Sequence, residues 1–139
     1  MALVQSATKP VVTASARPVN RVVVPVEGSD REYLAQETAI EHAAALGVPV
    51  YAVHIHTQPG EPPAGLFTFM ERLAARWETP LETRVLHATD AADEMLAELD
   101  PLDLVVLGSR RLGKRYHVGG MAQELIAQAP CPVQVVRLG

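Results

Sequence analysis

Five short apolar runs alternate with four segments of helical character, and this alternation constrains the fold more than any other feature of the 139-residue chain. RVVVPV (21–26) is a continuous β-branched run, the pattern of a strand buried on both faces. VPVYAVHI (48–55), LETRVLH (81–87), LDLVVLG (102–108) and CPVQVVRL (131–138) are the other strand candidates. The intervening segments 31–46, 66–77, 91–99 and 120–129 read as helices. In the first, Leu34, Thr38, Ile40, Ala44 and Ala45 are expected near one another on one face, and Gly47 is a natural stop. In the second, Phe69, Leu73 and Trp77 recur at i, i+4 and i+8. Thr89 or Asp90 can cap the third. Strict strand–helix alternation predicts an α/β domain: an open parallel five-stranded sheet with helices on both faces.

Apolar residues make up 48% of the chain and charged residues 20%, enough for a real core. Residues 1–19 are rich in Ala, Ser, Thr, Val and Pro and read as a flexible or extended arm; residues 20–139 form one domain. The net charge of −4 gives no general basic footprint for nucleic acid. Arg110, Arg111, Lys114 and Arg115 form a local basic cluster against that background. With Cys131 alone, no internal disulfide can form. No apolar run approaches the roughly 20 residues that span a bilayer, and the N-terminus does not read as a signal peptide. A cytoplasmic protein without membrane contact is expected.

In an open parallel sheet, ligands bind beyond the C-terminal strand ends, where the strand order reverses. That position selects two loops: PVEGSD after strand 1, and the stretch LGSRRLGKRYHVGGMAQ (107–123) after strand 4. Gly108 allows a sharp turn, Ser109 offers a hydroxyl, and Gly119 and Gly120 precede a helix whose free N–H groups suit an anion. Arg110, Arg111 and Lys114 supply charge. The stretch is neither a P-loop nor a GxGxxG dinucleotide turn. From the residues alone, a phosphate site and a glycine-rich turn carrying solvated basic side chains are equally supported.

Other chemistry is less well supported. His54 and His56 alternate on one strand and His87 ends the next, but nothing completes a metal set, so packed or rim histidines are expected. His117 is expected at the surface and Cys131 as a small buried residue. Ser29 and Ser109 lack a nucleophile–base arrangement, and no catalytic residue is assigned. Phe67, Phe69 and Trp77 are expected in the core or an interface. Arg31, Glu32, Glu37 and Glu41 read as a solvated helix face.

RVVVPVEGSDREYLAQETAIEHAAALG, VYAVHI, DLVVLGSRR and GGMAQELIAQAPCPVQVVR together resemble the universal stress protein family over about residues 20–138. The resemblance implies a Rossmann-like sheet of strand order 3-2-1-4-5 and a homodimer formed through the fifth strand, here Val133, Val135 and Arg137. An exposed apolar edge strand gives that pairing a physical motive. Some members bind ATP. These carry glycine, two residues, glycine, nine residues, then glycine followed by Ser or Thr. Here Gly108 matches the first glycine and Arg111 stands at the second. Gly120 arrives one residue early, Met121 occupies the hydroxyl position, and Gly113 offers a displaced flexible point. Glu27 stands where the family has Asp.

The nucleotide site that the resemblance implies comprises Pro25, Val26, Glu27, Ile55, Leu107, Gly108, Ser109, Arg110, Arg111, Gly113, Gly119, Gly120 and Met121, with Mg²⁺ accompanying the nucleotide. Two functional readings stand beside each other. One is an ATP-binding stress-response protein with at most slow hydrolysis. The other is a non-nucleotide dimeric scaffold, or a regulatory partner of a transporter or kinase.

Overall fold

Strand β1 (Arg21–Pro25) forms the middle of the sheet, pairing in parallel with β2 (Val50–His56) on one side and β4 (Asp103–Leu112) on the other. The computed structural model describes residues 18–27, 33–112, 115–117 and 120–138, so the expected arm falls outside the described residues up to position 17. β3 (Leu81–His87) extends the sheet beyond β2, and β6 (Val133–Leu138) pairs in parallel with β4. The five parallel strands therefore follow the expected order 3-2-1-4-5, with β6 as the fifth. Helices α1 (Tyr33–Leu46), α2 (Thr68–Arg76), α3 (Ala91–Glu98) and α4 (Gly120–Gln128) make the crossovers.

The continuous apolar strands are explained by cores on both faces. Val22, Val24, Val50 and Ala52 pack against α1 and α2 with Ile40, Met70 and Leu73. Val23, Tyr51, Val53, Val105 and Leu107 pack against α3 and α4 with Met95 and Leu125. Each fully buried valine or leucine contributes about 1.5–3 kcal/mol through removal from water. α1 ends at Gly47, whose φ of +70° reverses the chain, and Val48 N–H then returns to the Ala43 carbonyl at 3.0 Å.

Three expectations are corrected. The buried face of α1 is Ala35, Gln36, Ala39, Ile40 and Ala43, while Leu34 is 45% exposed. Alanines at 35, 39 and 43 let the helix backbone approach the sheet closely, so small size selects the face. On α2, Met70, Leu73 and Ala74 are buried and Phe69 is partly so, but Trp77 caps the C-terminal end and is exposed. The third correction bears on the site. β4 does not stop at Gly108 but runs to Leu112 and folds back antiparallel on β5 (Arg115–His117).

Gly108 is thus a strand residue opposite Val136, because β6 offers ladder partners as far as Arg110. Val105 pairs with Val23 and Val133, and Arg110 pairs with His117 and Leu138. β5 therefore lies on the β1 side of β4, where β1 itself has ended.

Candidate functional site

The C-terminal ends of β1 and β2 open into a cavity of about 200 Å³. It is lined by Pro25, Val26, Glu27, Val53, His54, Ile55, Thr57, Ala91 and Met121. The strand positions follow from the ladder: Val26 N–H donates to the Val53 carbonyl at 2.8 Å, so the two strands reach the crevice together. Ala91 is the first residue of α3 and Met121 is in the first turn of α4. Two helix N-termini therefore flank the cavity, and both favour negative charge. At α3, the Asp90 carboxylate caps the helix by accepting from Asp93 N–H at 2.9 Å. The walls are mostly apolar, with Glu27, His54 and Thr57 as polar groups, a composition suited to a flat ring bearing hydroxyls.

Of the residues expected at the site, Pro25, Val26, Glu27, Ile55 and Met121 line this cavity. Leu107, Gly108 and Ser109 do not. Leu107 is core, and Ser109 is buried with its hydroxyl turned to the Val136 carbonyl at 3.4 Å. Strand alternation explains this: once β4 continues past Gly108, Ser109 must face into the protein. Arg110 and Arg111 lie on the β4–β5 hairpin, and Gly120 is the exposed start of α4. Gly113 and Gly119 lie outside the described residues.

Val53, His54, Thr57 and Ala91 are lining residues that were not expected. Thr57 lies two residues beyond the predicted strand 48–55 and Ala91 begins a predicted helix on the same sheet edge, so topology held that signal. His54 and His56 are buried, whereas His87 is exposed. His54 Nδ1 lies 2.6 Å from the Val26 carbonyl, His54 Nε2 3.4 Å from His56 Nδ1, and His56 Nε2 3.1 Å from the Gly60 carbonyl. His87 sits edge-on to His56 with ring centroids 5.5 Å apart. Among the described residues no cluster of three or more His, Cys, Asp or Glu is arranged to hold a metal ion.

The opposite end of the sheet is a structural clamp. Asp103 is buried and accepts from Arg21 Nε at 2.8 Å, Arg21 Nη2 at 3.1 Å and Asp100 N–H at 2.8 Å. Arg21 Nη2 also reaches the Glu98 carbonyl, and the guanidinium lies 4.5 Å from the Tyr51 ring centre. The hydrogen bond to Asp103 raises the Arg21 pKa above its ordinary value. Burial, followed by the hydrogen bond to Glu98, pushes the Tyr51 phenol up. Cys131 packs beside this clamp, and burial together with Asp103 and Asp100 raises its thiol pKa.

A sequence model of the Universal stress protein family matches residues 18–137. Universal stress protein MJ0531 of Methanocaldococcus jannaschii is 28% identical over 138 residues, covering 84% of this chain and 81% of that protein. The structure of a universal stress protein from Archaeoglobus fulgidus in complex with dAMP superposes with a TM-score of 0.62 at 22% identity, covering 84% of this chain and 96% of that one. A universal stress protein crystallised in complex with cAMP superposes with a TM-score of 0.64 at 19% identity, covering 88% and 100%. No described helix is long and apolar enough to cross a membrane.

Proposed function

This chain belongs to the universal stress protein family, and from that premise we propose that it is a cytoplasmic stress-response protein whose β1–β2 cavity binds an adenine nucleotide. The observation that carries the reading is a mostly apolar cavity beyond the strand ends, flanked by the N-termini of α3 and α4. Val26, Val53, Ile55 and Met121 offer apolar contact to a base, and Glu27 and Thr57 offer polar atoms to ribose hydroxyls. The cAMP and dAMP complexes of the two structural neighbours support the same ligand class.

Size narrows the reading. About 200 Å³ is less than the roughly 300–1,000 Å³ that encloses drug-sized ligands. The cavity therefore takes the nucleoside part, and the phosphates lie outward, toward Gly120 and the β4–β5 hairpin that carries Arg110 and Arg111. Any Mg²⁺ arrives with the phosphates. The nucleotide acts as a bound ligand or slow switch. Calorimetry with ATP, AMP and Mg²⁺, together with mass spectrometry of the freshly purified protein, tests this. Saturable heat or co-purified nucleotide is expected, and neither at millimolar nucleotide overturns it.

The edge of β6 supports a partner reading alongside. Among the described residues β6 pairs with β4 alone, and Val135 is 39% exposed on that strand. An edge of this kind favours pairing with a second copy through Val133, Val135 and Arg137.

A further inference from the structure

His54 and His56 make three contacts in series, from the Val26 carbonyl through both rings to the Gly60 carbonyl. A carbonyl oxygen only accepts, so each outer contact requires a ring hydrogen on the histidine. The contact between the rings requires one more. Two neutral imidazoles carry two hydrogens in total, whichever tautomers they adopt. The series is therefore one hydrogen short when both rings are neutral. A fourth hydrogen would set two N–H groups against each other at 3.4 Å. Three hydrogens satisfy every contact.

We infer that His54 and His56 act as one unit holding three ring hydrogens, a shared-proton bridge that ties the Val26 carbonyl to the Gly60 carbonyl and positions the Val26–Glu27 wall of the cavity. The residues at its two ends give the bridge its consequence. Val26 and Glu27 line the cavity, and Gly60, at φ +90°, belongs to the loop leaving β2. Both rings are buried, and strand alternation puts them on the α1/α2 side of the sheet, with Val50 and Ala52. His54 is itself part of the cavity wall, and His56 holds it from behind. They are positioning residues.

The surroundings contain few groups that would interfere. Among the described residues, β3 contributes His87, edge-on to His56. α1 turns Gln36 and alanines to the sheet, and α2 turns Met70, Leu73 and Ala74. Glu27 follows Val26 and Glu61 follows Gly60, and both carboxylates are exposed. The extra proton would give the pair one positive charge at the wall of a cavity proposed for an anionic ligand.

The test uses the full chain with ¹⁵N-labelled imidazoles and no nucleotide. Spectra are recorded near pH 6 and pH 9, on either side of the ordinary imidazole value of about 6.5. The bridge predicts three protonated ring nitrogens in the pair at the lower pH and two at the higher. Four passing to two, as two independent histidines would give, overturns it, as does a count of two already near pH 6. Loss of the bridging hydrogen to micromolar Zn²⁺ would make the pair a metal site and also overturns it.

The consequence for binding rests on the nucleotide reading above, and calorimetry tests it separately. Loss of one net hydrogen bond between pH 6 and 9 weakens nucleotide binding about threefold to tenfold. In the double variant His54→Gln/His56→Gln no ring is left to gain or lose the proton, so the profile becomes flat, and an unchanged slope in that variant overturns the positioning role. Three hydrogens by spectroscopy without any nucleotide binding would fault the proposed ligand and leave the bridge standing.

Discussion

Arg21→Met should be far more costly than an ordinary surface substitution, because it leaves a charge buried without its partner. Arg21 is 28% exposed at its side chain, but Asp103 is only 2% exposed. Removing the guanidinium takes away two hydrogen bonds, at 2.8 and 3.1 Å, and leaves the carboxylate the Asp100 N–H at 2.8 Å. Breaking a buried ion pair from one side costs about 3–5 kcal/mol. Water reaches the Arg21 side, so we expect the low end, about 3 kcal/mol. At about 4 °C per kcal/mol for a domain of this size, the melting temperature falls by about 12 °C.

Asp103→Asn provides the control, since it removes the charge but keeps an acceptor. On that background Arg21→Met should cost only about 1 kcal/mol, giving a coupling of about 2 kcal/mol. Urea denaturation of the four proteins completes the cycle. Additivity within about 0.5 kcal/mol would refute the reasoning, because the cost of Arg21→Met would then not depend on the Asp103 charge.

Three further outcomes follow from separate parts of the molecule. Gly47→Ala should cost about 1–2 kcal/mol in urea denaturation through left-handed strain alone, since a Cβ there meets nothing within 4 Å at φ +70°; a neutral effect would contradict that account. Cys131 should react with iodoacetamide more slowly than free cysteine at about pH 8, and its rate should rise at higher pH than the free thiol's, because burial lifts its pKa and the thiolate is the nucleophile. Unfolding in urea should abolish the difference. If β6 joins two copies, Val135→Asp should shift the mass seen by light scattering from dimer to monomer, and an unchanged mass would exclude that edge.

The strands were legible because β-branched runs buried on both faces leave a continuous apolar pattern. LETRVLH was read to its observed ends, and the cap at Asp90 follows from side-chain chemistry that acts locally. The face of α1 was misread because alanines at 35, 39, 43, 44 and 45 surround the helix and blur its apolar face. With alanines all round, the apolar Leu34 drew the prediction, whereas close packing against the sheet selected Ala35, Ala39 and Ala43. The end of β4 was illegible for another reason. Gly108 and the arginines after it have the composition of a loop, and only the ladder offered by β6 and β5 keeps them extended. The crevice itself was found from topology, whereas Val26, Glu27, Ile55 and Met121 were named through the family resemblance. The histidine bridge was not found, because alternation at 54 and 56 is visible but the carbonyls at its two ends come from other segments of the chain.

The central claim is that an adenine nucleotide occupies the cavity beyond β1 and β2. Titrating ¹⁵N-labelled protein with AMP and following backbone amides tests it most directly. The account predicts saturable shifts at Val26, Glu27, Ile55, Thr57, Ala91 and Met121, with Leu46 at the C-terminal end of α1 and Trp77 just beyond α2 unmoved. Spectra unchanged at millimolar AMP, or shifts centred away from these residues, would contradict it.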